Sequence, residues 1–309
     1  MFSYAFTVPE EKRVRYIIHS DAKNEADDQF TVAHALMTPK LEVKGLIAGH
    51  FNNSGRVPED GVTARMSHEE LMRILSLMGL EGRYPVLLGA PRALPDESTP
   101  VESEGAGFII EEAMRDDPRP LFIGMQGAIT DLASAILLEP AICSRMTAIW
   151  IGGGAYPEGG REFNLQQDIN GANVVFRSSM PLWQVPKNVY KSFSVSLAEL
   201  QLKVRPYGRI GRYLFDQMAE LNTRLASSPW PHGEVWGLGD EGCVAALMEE
   251  AEADSGYDSI TAPLFRKDMT YQMEAVAGRK IRVYRSMSVR TCLEDLFAKL
   301  RLNFPAEGS

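Results

Sequence analysis

The chain has 309 residues, 45% of them apolar and 24% charged, enough for one large α/β domain or two small ones with a sizeable core. Its formal net charge of -9 argues against a nucleic-acid backbone binder, whose surface is usually basic. Three scattered cysteines, Cys143, Cys243 and Cys292, are odd in number and fit neither a disulfide framework nor a zinc site, so reduced, buried thiols are expected.

Residues 1–12 lack a basic region followed by an apolar stretch, and no apolar run has the length that spans a bilayer. A cytoplasmic protein is expected. Apolar runs of strand length follow at 14–18, 41–48, 84–88, 120–125 and 146–151, with helical spacing at 28–37, 68–78, 105–114 and 131–138. This alternation predicts an α/β fold, a mostly parallel central sheet flanked by helices on both faces. Residues 181–189 supply a further strand.

From 196 to 253 the pattern turns helical, with Leu197, Leu200, Tyr213, Leu214, Met218 and Leu221 as core positions and a helix over 242–253. The C-terminal part reads as an edge strand at 280–284 and a short helix at 293–300. Without an internal repeat, a low-complexity tract or a linker, residues 1–309 read as a single domain.

The sharpest signal follows the first strand, where Asp21, Asn24, Glu25, Asp27 and Asp28 enter a loop that leads directly into a helix. In open α/β sheets, ligands bind beyond the carboxyl ends of the strands, and this loop must lie there. An aspartate at a helix start is routinely a cap, but four acids within eight residues exceed what capping needs. Crowded carboxylates repel one another unless a cation sits among them, and an all-oxygen set suits calcium or magnesium. The spacing is not that of an EF-hand, and the Asp-x-Asp of haloacid-dehalogenase phosphatases is missing.

At these residues the chain resembles the nucleoside hydrolases of the inosine/uridine-preferring type, whose first strand ends in Asp-x-Asp-Pro-Gly-x-Asp-Asp. His19 replaces the first aspartate, Asp21 matches the second, and Asp27 and Asp28 match the closing pair. The loop is two residues longer and lacks Pro-Gly, which resembles a divergent branch of that family. Residues 45–53 resemble its second strand and the sugar-binding asparagine after it, with Asn52 favoured by spacing and Asn53 as the alternative. Residues 126–131 are similar to the stretch in which a main-chain carbonyl, here that of Gln126, binds the metal. Residues 151–154 match the glycine turn, Glu162-Phe163-Asn164 the ribose grip, continued by Asp168 and Ala172, and Gly239-Asp240 the family's His-Asp.

The resemblance implies hydrolysis of an N-glycosidic bond in a ribonucleoside or N-riboside by metal-activated water. Calcium would be held by Asp21, Asp28, Asp240 and the Gln126 carbonyl, with Asp21 as general base. Asp27, Asn52, Glu162 and Asn164 would bind the ribose, and homodimers or homotetramers are implied. The position of one class's general acid is taken by Gly239, which leaves Trp236 as a stacking surface for the base, with Trp230, His232 and Tyr156 as further candidates. His19 and His50 read as structural. One rival is a nucleoside-hydrolase-like protein that binds a carbohydrate or nucleoside without turnover. The other is a metal-dependent phosphohydrolase, for which the glycine run 152–154, with Arg161 nearby, is a candidate phosphate site.

Overall fold

Strand β1 (Val14–Ser20) is buried along its whole length, with Tyr16, Ile17 and Ile18 as its apolar centre and the buried polar residues Arg15, His19 and Ser20 held by partners. A computed structural model describes residues 2–52, 59–228, 233–248, 256–273, 276 and 278–306. Among them, eight strands share one sheet: β1, β2 (Leu41–Ala48), β3 (Val86–Leu88), β4 (Leu121–Met125), β5 (Met146–Ile151), β6 (Leu182–Val185), β9 (Tyr257–Thr261) and β12 (Lys280–Tyr284). Their spatial order is β3-β2-β1-β4-β5-β6-β12-β9. All neighbours pair in parallel except β9, which runs antiparallel to β12. Two short antiparallel pairs stand apart, β7 (Ser194–Ser196) with β8 (Val235–Gly237), and β10 (Leu264–Phe265) with β11 (Tyr271–Gln272).

The helices are α1 (Asp28–Met37), α2 (Val62–Leu77), α3 (Glu104–Met114), α4 (Thr130–Leu138), α5 (Phe163–Gln167), α6 (Ile169–Arg177), α7 (Lys187–Tyr190), α8 (Leu197–Lys203), α9 (Gly208–Arg224), α10 (Gly242–Met248) and α11 (Val289–Asn303). Along β1 the side chains alternate between two cores. Tyr16 and Ile18 join the one built with α1, α2, α10 and α11, and Ile17 joins the one built with α3, α4 and α6. The same alternation continues to the strand's end. His19 turns to Asp131 on α4, at 2.9 Å, and Ser20 turns to Asp28 on α1, at 2.6 Å. Every residue of α1 is buried.

Because β1 is flanked by β2 on one side and β4 on the other, the chain winds outward in one direction and then in the opposite one. The crevice of such a sheet opens beyond the carboxyl ends of the two strands at the reversal. Those ends are Asp21, after β1, and Gln126, after β4, and the Gln126 N–H donates to the His19 carbonyl at 2.9 Å.

Three expectations change. The strand at 280–284 is not at the edge, because β9, whose Tyr-Asp-Ser-Ile-Thr run lacks a strong apolar pattern, pairs outside it. The strand expected over 181–189 stops at Val185, since Pro186 ends the ladder and opens α7. Leu200, Leu214, Met218 and Leu221 are core, whereas Leu197 and Tyr213 are partly buried, the Tyr213 hydroxyl turning to Glu70. The three cysteines are buried and unpaired. Among the described residues no helix is long and apolar enough to cross a membrane.

Candidate active site

A cavity of about 480 Å³ opens at the switch point, within the range of small-molecule sites. Its floor is acidic. Asp21, Asn24, Glu25, Asp27 and Asp28 come from the loop after β1 and the first turn of α1, Gln126 from the end of β4, and Asp240 from the turn before α10. Oxygens of Asp27, Asp28 and Asp240 lie within 4.8 Å of one another. The Gly239 N–H donates to the Asp27 carboxylate at 3.1 Å, which fastens the two chain segments together.

Burial is the main cause of every pKa shift on this floor, and mutual repulsion adds to it. Asp28 is pushed up to about 7 by burial and then by Asp27. Asp27 is raised to about 6 by burial, against the pull of backbone donors that include Gly239 and Asp240. Asp21 is pushed well above the usual carboxylate range by burial, then by Asp28, Glu25 and Asp27. Asp240 is pushed up likewise by burial, then by Asp27, Asp28 and Asp21. One oxygen of Asp21 is buried with no hydrogen-bond partner. An all-oxygen donor set with an unpartnered carboxylate oxygen and several carboxyls destabilised as anions by burial and mutual repulsion is what a hard divalent cation would complete. The residues present therefore fit such an ion.

The floor depends on one close approach. A Cβ at residue 127 would stand 2.7 Å from the Asp21 Cγ, so only glycine there leaves Asp21 its place. The loop of 22–26 is held from outside. Lys23 reaches Glu70 at 3.1 Å, Gln29 donates to the Ala22 carbonyl at 2.5 Å, and Gln217 donates to the Ala26 carbonyl at 2.7 Å.

The walls bring in Glu162, Phe163 and Asn164 at the start of α5, and Lys187, Tyr190, Lys191, Ser194, Val235 and Trp236 from α7, β7 and β8 and the segment between α7 and β7. Asn164 spends both amide hydrogens on the main chain, donating to the Gln126 carbonyl at 2.7 Å and the Ile151 carbonyl at 2.8 Å. It thus ties the ends of β4 and β5 together.

Of the residues assigned from sequence, Asp21, Asp27, Asp28, Gln126, Glu162, Asn164, Trp236 and Asp240 all line this cavity. Asn52 does not. Its amide donates to the Pro91 carbonyl at 2.8 Å and its oxygen accepts from the Thr63 hydroxyl. Asn53, Trp230 and His232 lie outside the described residues. Tyr156 packs edge-on to Tyr271, and it is not a lining residue. His19 and His50 are engaged beneath the floor by Asp131 and Thr130, both at 2.9 Å, and burial lowers His50 to about 4. Lys187, Tyr190 and Lys191 escape a sequence reading because their segment looks like a strand. The proline at its middle is the signal that marks α7.

A mostly parallel open sheet with an oxygen-lined acidic cavity at its switch point places the chain among the α/β proteins whose ligand site lies beyond the carboxyl ends of the strands. The sequence model of the inosine-uridine preferring nucleoside hydrolases matches residues 16–292, and the chain belongs to that family. The pyrimidine-specific ribonucleoside hydrolase RihA of Salmonella arizonae is 23% identical over 196 residues, 57% of this chain. The chain spans 61% of the length of that curated relative. The fold is shared with a plant nucleoside hydrolase, PpNRh1 (TM-score 0.73, 17% identity, 93% of this chain and 98% of that one). It is shared also with the purine-preferring ribonucleoside hydrolase of Gardnerella vaginalis (TM-score 0.70, 16% identity, 93% and 98%).

Proposed function

We propose that this protein hydrolyses the N-glycosidic bond of a ribonucleoside or related N-riboside, using calcium held by Asp21, Asp28, Asp240 and the Gln126 carbonyl. The carrying observation is the convergence of Asp28 and Asp240, from distant parts of the chain, with oxygens within 4.8 Å at the switch point. Bound there, a divalent cation supplies positive charge that favours ionisation of the attacking water. Asp21 accepts that water's proton, since one of its oxygens is buried and unpartnered beside the site. Asp27 and Asn164 line the same cavity and hold sugar hydroxyls, which fixes the anomeric carbon for attack.

Trp236, a lining residue only 3% exposed, offers an apolar face to the base. The reading takes residues 1–309 as one domain, a small-molecule ligand, a cytoplasmic setting and a homodimer or homotetramer. The test is release of reducing sugar from inosine, uridine, adenosine, cytidine and nicotinamide riboside, with calcium and after chelation. Turnover that chelation abolishes and calcium restores is expected. Calorimetric ribose binding without turnover of any substrate would favour the rival, a binding protein that has lost catalysis at Gly239.

A further inference from the structure

Glu162 and Tyr190 meet on the cavity wall, and only one of them has hydrogen-bonding capacity left for a ligand. The Glu162 carboxylate is 1% exposed. It accepts from the N–H groups of Gly153 at 2.8 Å, Asn164 at 3.1 Å and Leu165 at 2.8 Å, and from the Tyr190 hydroxyl at 3.0 Å. A carboxylate has about four lone-pair sites, so the protein itself fills them. Glu162 is thereby a cap for α5 and a brace for the turn after β5.

Tyr190 is in the opposite condition. It lines the cavity and is only partly buried, and once its hydroxyl has donated to Glu162 the phenolic oxygen still has lone pairs to accept a bond. Its ring occupies the room that a side chain at residue 239 would need. A Cβ built there would stand 2.9 Å from the Tyr190 Cδ2. Glycine at 239 and tyrosine at 190 are therefore complementary. Burial, then the charge of Glu162, pushes the phenol well above its ordinary value of 10.0, so it stays protonated and keeps donating to Glu162.

We propose that Tyr190, rather than Glu162, makes the direct hydrogen bond to a hydroxyl of the sugar, and that it selects ligands that carry a hydroxyl at that position over their deoxy counterparts. The inference rests on the N-riboside reading above. A site whose buried polar group expects a hydroxyl rejects an analogue without it far more strongly than an apolar pocket rejects a missing methylene.

The experiment compares wild type with Tyr190→Phe, which keeps the ring over Gly239 and removes only the hydroxyl. Inosine and uridine are assayed beside their 2′-, 3′- and 5′-deoxy forms, and binding of D-ribose and its deoxy forms is measured calorimetrically with calcium. Tyr190→Phe should lower kcat/KM roughly 10- to 100-fold on the parent nucleosides and on two of the deoxy forms. The third form, lacking the contacted hydroxyl, should be slow with wild type and no slower with the variant. Gly239→Ala, which displaces the ring, should give the same pattern.

An equal loss on every substrate, or none, overturns the inference and leaves the hydrolase reading standing. Ribose binding with the hydroxyl-specific loss but no turnover supports the role of Tyr190 while the catalytic reading fails. Neither turnover nor ribose binding overturns both.

Discussion

The Nδ1 of His34, on α1, lies 2.7 Å from Oε2 of Glu241, the residue that follows Asp240. The other ring nitrogen lies 2.8 Å from Asp295 on α11, and the Cys292 thiol donates to the same Glu241 oxygen at 3.2 Å. Asp295 is in turn paired with Lys299, whose ammonium also reaches the Thr38 hydroxyl at 2.9 Å. Burial works against a charged imidazole here, but Glu241 and Asp295 outweigh it and hold the His34 pKa above its ordinary 6.5. The network ties the first and last helices to the turn that presents Asp240.

His34→Ala is therefore expected to destabilise the fold by about 3–5 kcal/mol, because it leaves the Glu241 carboxylate buried without its charged partner. Urea unfolding measures this. The sign of its pH dependence follows from the raised pKa. The contribution is complete below 6.5 and is lost as pH climbs through the folded value. A cost that stays constant from pH 5 to pH 9 would contradict a charged imidazole.

The acidic floor predicts a second pH effect. Asp28 at about 7 and Asp27 at about 6 stand above the ordinary carboxylate value of 3.8. Between those values the folded chain binds more protons than the unfolded one, so without a cation stability falls as pH rises from 3.8 toward 7. A divalent ion bound there would replace the protons and remove the repulsion. Calorimetry under chelation should therefore give a lower Tm at pH 8 than at pH 5, and calcium should raise the pH 8 value by on the order of 5 °C. Asp28→Asn separates this effect from that of His34, whose slope has the same sign. The variant should lose most of the calcium response while keeping the His34 slope.

Much of this floor was legible in the sequence for a physical reason. A strand buried on both faces is largely apolar, so Tyr16-Ile17-Ile18 announces β1 despite Arg15, and the acidic loop that follows the strand must sit at the carboxyl edge where ligands bind. The group Asp21, Asn24, Glu25, Asp27 and Asp28 is located by that alone, whereas the choice of Asp21 and Asp28 within it comes from the family resemblance. Asp240 is not so located, because nothing local distinguishes it from any acid at a helix start, and only the order of family motifs points to it. Asn52 is not among the lining residues, because sequence spacing fixes where a strand ends but not which way the next side chain turns. Here Thr63 and Pro91 claim it. The acceptor-saturated state of Glu162 is a tertiary property as well, since two of its four donors, Gly153 and Tyr190, come from outside its own helix.

Asn164 carries a prediction that separates bracing from ligand binding. Its amide satisfies the carbonyls of Gln126 and Ile151, both at the cavity. Asn164→Ala strands both carbonyls, at about 1–3 kcal/mol each where water cannot reach them. Chemical denaturation should report that loss, and calcium affinity should fall with it, because the Gln126 carbonyl is no longer held in place. An unchanged calcium isotherm would separate Gln126 from the cation site.

Asp21 gives the most direct test of the chemistry. Asp21→Asn keeps the shape of the side chain beside Gly127 and removes a carboxylate that no protein donor satisfies at one oxygen. If Asp21 is the general base proposed above, kcat for sugar release should drop by roughly 10²- to 10⁴-fold. The cation-free variant should be more stable than wild type, since one member of a mutually repelling buried group has lost its charge. Gly127→Ala acts on the same residue from the other side. A Cβ 2.7 Å from the Asp21 Cγ must push the carboxylate out of place, so activity should fall although no catalytic atom has been removed. If both variants turn over substrate at the wild-type rate, the proton leaves the water by another route and Asp21 has only a structural part.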